Sequence, residues 1–177
     1  RPMKKGKGYE LIAGHRRKHA SEIAGKETMP VFIRDYDNDE ATIIMVDSNL
    51  QREEILPSEK AKAYRMKYEA MKHQGKGRGL TLDELGKDGG ESWKQVQRFI
   101  RLSYLNDNLL ELVDSGHIKL VPGVDLSYLR ESEQRAVVRL TERDNPIFSI
   151  TKTNALKKAS RENELSLEEI KRILCKE

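Results

Sequence analysis

The chain has 177 residues, of which 37% are hydrophobic, 6% aromatic and 35% charged, and 33 Lys and Arg stand against 29 Asp and Glu for a net charge of +4. This describes a soluble, helix-rich protein with modest cores, and its length suits two small helical domains better than one globule. A single cysteine, Cys175, excludes an intrachain disulfide or a cysteine-built metal cluster and fits a reducing cytoplasm. No apolar run approaches the ~18 residues of a membrane span, and no apolar core follows the basic start, so neither membrane nor export is indicated. Bulk charge hardly argues for nucleic acid, but its distribution does. Residues 1–20 hold seven basic residues and one acidic, residues 57–80 hold seven basic and two acidic, and residues 37–54 between them are predominantly acidic.

In chain order, residues 9–13 alternate like a buried strand, Gly14 supplies a tight turn, and Arg16 and Arg17 open a helix over 15–24. Backbone N–H groups at a helix start attract anions, and two arginines add forked donors, so this is a phosphate site in outline. A strand over 30–35, with Val31, Phe32 and Ile33, and a helix over 39–49 complete a small α/β unit. Two strands do not make a stable sheet, so an N-terminal segment absent from this chain is expected to supply more. The start at Arg1, without an initiating Met, reads as that of a fragment.

Pro57 and Ser58 then start a basic helix over 59–74, with Ala61, Tyr64, Tyr68 and Met71 on one face. The Gly-rich basic stretch 75–79 follows a helix and lacks the GxxxxGK[ST] order, so it reads as a loop that brushes DNA. Thr81 opens a capping box over 81–84, Gly89 and Gly90 make a turn, and Ser92 caps a helix over 93–102. From Glu84 to Arg98 the spacing is that of a helix-turn-helix: Gly86 permits close packing, Gly90 turns the chain and Val96 seats the second helix. Lys94, Gln97, Arg98 and Arg101 share an outward face, and Gln95 and Gln97 are candidate base readers because amides pair bidentately with adenine. Apolar periodicity at Leu109 to Val113 and at Leu126 to Leu140 predicts packing helices, with Pro122 and Gly123 separating two elements. Asn145 and Pro146 mark a boundary before a terminal helical pair over 151–161 and 166–175.

Gly14, Arg16, Arg17 and Ala20, followed by Asn49, Gln51 and Arg52, resemble the GxRRxxA and ENxQR motifs of the ParB family of chromosome and plasmid partition proteins. The resemblance runs through the helical middle of the chain, to about residue 145. It implies an α+β architecture: a ParB-like nucleotide-binding domain over 1–56, incomplete at its start, and an all-α helix-turn-helix domain over 57–145; beyond the resemblance, the terminal pair makes a helical segment over 146–177. It further implies CTP held with Mg2+ by Gly14, His15, Arg16, Arg17, Ala20, Asn49, Gln51 and Arg52, Asn49 being the contact to the metal. Double-stranded DNA with an inverted-repeat site would be contacted by Thr81, Ser92, Lys94, Gln95, Gln97, Arg98 and Arg101. The implied protein is a homodimeric, CTP-responsive clamp, nucleoid- or plasmid-associated, that works with a ParA-type ATPase.

Two positions depart from the family pattern. His15 stands where a carboxylate is common, and Ser48 replaces the Glu to which the family assigns nucleotide hydrolysis, so binding is expected with slow or absent turnover. The same reader would equally serve a transcriptional or occlusion regulator of a mobile element, and the fold is shared with nuclease-like proteins. His15 and His19 have the spacing of a metal pair, but neighbouring Arg16, Arg17 and Lys18 repel a cation and no third ligand lies near.

Overall fold

Helices dominate the computed structural model, which describes residues 1–3, 6–74, 85–86 and 90–175. In chain order they are α1 His15–Ile23, α2 Asn38–Leu50, α3 Pro57–His73, α4 Trp93–Leu102, α5 Asp107–Asp114, α6 Leu120–Leu126, α7 Glu131–Arg143, α8 Ile150–Glu162 and α9 Leu167–Cys175. Local chemistry sets their starts. The Asp37 carboxylate accepts the Glu40 N–H at 2.8 Å while Glu40 accepts the Asp37 N–H at 3.0 Å, a reciprocal cap for α2. Pro57 stands first in α3, where a missing N–H leaves no bond unmade. Ser92 and Ser149 accept the N–H groups of Gln95 and Lys152 at 3.4 and 3.2 Å and so cap α4 and α8.

The strands expected over 9–13 and 30–35 do not form, and the α+β class is not carried by the described residues. Their only β pairing is an isolated antiparallel bridge between Pro2 and Tyr9. Val31, Phe32 and Ile33 are 57, 93 and 49% exposed and belong to no regular element. The physical reason is that a strand is held by the hydrogen bonds of its neighbour, and no partner strand lies beside this apolar run among the described residues.

α3 is the hub, packing against α2, α4 and α5. Tyr64 of α3 stacks on Phe99 of α4 with ring centroids 5.8 Å apart. Lys67, 2% exposed, forms an ion pair with Asp47 of α2, which is what makes its charge tolerable at that depth. α6 joins α4 to α8, and α9 closes over α7 and α8. The buried cluster runs without a break from Val46 and Leu50 to Leu156, Ile170 and Leu174, so it crosses both expected divisions, at 56/57 and 145/146.

Pro122 and Gly123 were expected to separate two elements; instead both lie inside α6. Pro122 is third in the helix, where backbone N–H groups have no intrahelical partner to lose. A Cβ on Gly123 would come within 2.9 Å of Val113 Cγ2 and 3.1 Å of Leu102 Cδ1, so the glycine there serves packing and not a turn.

Candidate nucleic-acid interface

Leu85 and Gly86 belong to a helical piece that precedes α4, and Leu85 is fully buried. A Cβ on Gly86 would stand 2.2 Å from the Glu91 carbonyl oxygen and 3.0 Å from Val96 Cγ2, so only glycine lets the turn and α4 approach this closely. The Glu91 N–H donates to the Gly86 carbonyl at 3.1 Å, and Gly90 turns the chain at φ +67°. Val96 is fully buried and seats α4. Lys60 of α3 pairs with the Glu91 carboxylate at 2.6 Å and anchors the turn to the hub. These contacts bear out the roles read from the spacing of Gly86, Gly90 and Val96. Thr81, the capping box at 81–84 and the basic stretch 75–79 lie outside the described residues.

α4 turns Val96, Phe99 and Leu102 inward and leaves Ser92, Trp93, Lys94, Gln97 and Arg98 exposed. Lys94 Nζ lies 5.5 Å from the Trp93 ring centroid. Gln95 leans toward the packed side, half-buried, and its amide oxygen accepts from Arg98 Nη1 at 3.3 Å, which leaves Gln97 the freer of the two candidate readers. Arg101 is already engaged: Nε donates to Ser127 Oγ at 3.1 Å and Nη2 to the Ser127 carbonyl. Its guanidinium also stacks 3.9 Å from the ring centroid of Tyr128. Sequence spacing puts Arg101 on the outward stripe, but it is half-buried by these contacts, which come from the end of α6.

The residues of the expected phosphate site fall on two elements. Gly14 precedes α1 at φ +97°, a conformation L side chains rarely adopt, and the Arg17 guanidinium folds back over it. His15, Arg16, Arg17 and Ala20 are all exposed, and no acidic side chain stands in the first turn of α1. Lys18 and His19 instead face Glu22 at 3.1 and 3.7 Å, and Lys18 holds the Glu22 carboxyl below its ordinary range. Among the described residues Arg16 and Arg17 form no ion pair. Arg17, Ala20, Ser21, Lys26 and Pro30 line an open hollow of about 350 Å³ beside α1. Asn49 is half-buried in the last turn of α2, with Ser48 exposed beside it, and Gln51 and Arg52 are exposed just beyond. No group of three His, Cys, Asp or Glu side chains among the described residues is placed to hold a metal ion.

The described residues form a helical protein in which α4 packs on a short helical piece at Leu85 and Gly86. Residues 1–50 match the family described as the ParB N-terminal domain, and the chain as a whole is similar to ParB-type partition proteins. It is 34% identical over 113 residues to the chromosome-partitioning protein Spo0J of Thermus thermophilus, covering 64% of this chain and 39% of that protein. Stage 0 sporulation protein J of Bacillus subtilis is 32% identical over 128 residues, covering 72% of this chain and 43% of that protein. A nucleoid occlusion protein of Listeria monocytogenes is 31% identical over 147 residues, 83% of this chain and 48% of that one. The chain thus spans less than half the length of these relatives. In fold it is similar to the crystal structure of C-terminally truncated ParB from Caulobacter crescentus complexed to the centromeric parS site, with a TM-score of 0.55 and 23% identity over 92% of this chain and 80% of that one. No helix among the described residues is long and apolar enough to cross a membrane.

Proposed function

We propose that the chain is the DNA-reading part of a ParB-type partition protein, in which α4 enters a major groove and the surroundings of α1 take a cytidine triphosphate. The packing of Gly86 beneath α4 carries the first half. With no side chain at Gly86, the turn and α4 lock together, and Lys94, Gln97 and Arg98 face outward on a rigid support, as a recognition helix requires. The names of the relatives, for chromosome partitioning, and the parS site bound by the Caulobacter protein support the same reading. By family resemblance the site is an inverted repeat, the reader is a dimer, and the further partner is a ParA-type ATPase.

The residue types present suit a triphosphate. Gly14 admits close approach of backbone N–H groups, Arg16 and Arg17 are exposed and unpaired among the described residues, and Asn49, Gln51 and Arg52 would complete the contacts. Asn49 offers only one neutral oxygen to Mg2+, so the ion would be held mainly by the phosphates. Bound nucleotide supplies differential binding energy that shifts the clamp between open and closed forms, for which hydrolysis is not required. Ser48 has no carboxylate to activate water, which fits slow turnover.

A second reading, occlusion or regulation of a mobile element by the same reader, is favoured by the Listeria occlusion protein, whose similarity extends over 83% of this chain. The deciding experiment is equilibrium binding of the full-length protein to a random duplex library and to each of the four nucleoside triphosphates. Enrichment of an inverted repeat together with preference for CTP supports the partition reading. Uniform binding to all duplexes, or indifference among the nucleotides, removes the corresponding half.

A further inference from the structure

The outward stripe of α4 does not stop at the helix end. Lys94, Gln97 and Arg101 stand three and four residues apart and so share one face. The Arg101 guanidinium lies 3.9 Å from the Tyr128 ring centroid and 5.2 Å from that of Tyr104. α8 brings Lys157 Nζ to 5.3 Å and the Arg161 guanidinium to 5.9 Å of the same Tyr128 ring, and Arg65 of α3 lies 4.4 Å from the Tyr104 ring. Two tyrosines, 44 and 48% exposed, are thereby ringed by cations from three helices.

Charge compensation separates these cations. Lys157 pairs with the buried Asp125 carboxylate, and Arg101 is held by Ser127, so the fold accounts for both. Arg161 is exposed, forms no ion pair among the described residues, and lies near the outer limit of useful contact with the ring. It stands in the last turn of α8, where its charge complements the helix dipole but leaves the guanidinium's hydrogen-bond donors open to solvent. A planar guanidinium of this kind matches phosphate oxygens with a fork of donors, and a half-exposed tyrosine hydroxyl beside it adds a further donor.

We propose that Arg161 and Tyr128, with Arg101 fixed between Tyr128 and α4, form a phosphate-gripping shoulder that binds the duplex backbone flanking the groove entered by α4. This rests on the DNA-reading role of α4. Continuity with the α4 stripe favours duplex DNA over an acidic protein, the other polyanion such a surface would accept. Backbone contacts position a reader without adding sequence information, so the shoulder strengthens binding to every duplex alike.

The test is a salt series of binding by the full-length protein to a selected duplex, to a scrambled duplex and to polyglutamate. Compared are the parent, Arg161→Ala, Arg161→Lys, Tyr128→Leu, and Arg135→Ala, whose side chain is exposed and already paired with Glu131 at 2.7 Å. Arg161→Ala is expected to weaken both duplexes by about threefold to tenfold and to lower the log–log salt slope by about 0.9 relative to Arg135→Ala, with Arg161→Lys keeping the slope. Tyr128→Leu should weaken both duplexes alike; where circular dichroism finds it unfolded, Arg161→Ala decides alone. An Arg161→Ala slope equal to that of Arg135→Ala overturns the shoulder, as does a loss confined to the selected duplex or to polyglutamate. A parent that binds no duplex removes the DNA reading of α4 itself, and the shoulder with it.

Discussion

The Ser160 hydroxyl of α8 donates a 2.6 Å hydrogen bond to Oε2 of Glu133 in α7, a residue only 1% exposed. The same carboxylate accepts the N–H of Arg130 at 2.8 Å and that of Leu165 at 2.9 Å. One buried side chain therefore caps its own helix and fastens the α8–α9 connection to it. Glu133→Ala would strand these three donors, the Ser160 hydroxyl among them buried, and unpair Arg130 Nη1 at 3.4 Å, and is expected to cost about 3 kcal/mol or more in urea unfolding, against about 1 to 2 kcal/mol for Ser160→Ala. An unchanged urea midpoint in Glu133→Ala would show that the terminal helical pair is held by other means.

Gly86→Ala tests the support of the reading helix. The added carbon meets a backbone carbonyl at 2.2 Å, which cannot swing aside as a side-chain tip would. A loss of about 1 to 3 kcal/mol is expected, together with loss of duplex binding, while the CTP binding proposed for α1 should be retained. Calorimetry and parallel titrations with DNA and CTP measure the three quantities.

Arg16→Ala and Arg17→Ala should each weaken triphosphate binding in the full-length protein by on the order of 1.5 to 3 kcal/mol, the usual worth of a hydrogen bond to a charged group. Lys18→Ala should matter less, because Lys18 already pairs with Glu22 at 3.1 Å. Duplex binding should be spared in all three. Equal CTP affinity in the folded Arg16/Arg17 double variant would remove their phosphate role.

Turnover is expected to rise in Ser48→Glu, since a carboxylate at this exposed position on the last turn of α2 restores the group that the family uses for hydrolysis. Steady-state phosphate release from CTP reads this directly. Rapid hydrolysis by the parent, free of contaminating phosphatase, would refute the inference.

On α4 the roles divide. Lys94→Ala should weaken all sequences alike and reduce the salt slope by about 0.9, whereas Gln97→Ala or Arg98→Ala should cost roughly 1 to 3 kcal/mol on the preferred site alone. Gln95→Ala is expected to do less, because its amide is half-buried and bonded to Arg98. If all of these variants match the parent on both DNAs at every salt concentration, α4 is not the reader.

Much of this was legible in the residues themselves. Helix positions were, because apolar side chains three and four apart report one buried face wherever the helix ends up, and Ser92 signals its cap within a single turn. The close packing beneath α4 was legible for the same reason: Gly86 meets Glu91 and Val96 only a few residues further along the chain. Residues 30–35 were misread as a strand because an apolar run states only that it needs cover, while a strand also needs a neighbour's hydrogen bonds. Pro122 and Gly123 were misread as a break because what makes glycine necessary there is Leu102 and Val113, on other helices.

Sequence by itself thus determined the helices, the turn beneath α4 and the family resemblance, all properties of near neighbours or of motif order. Tertiary structure decided that Arg101 is held by Ser127, that Tyr128 gathers cations from α4 and α8, and that Glu133 binds the terminal pair into a single core. Those contacts join residues 26 to 33 positions apart, and no local periodicity encodes which distant side chain will arrive at a given face.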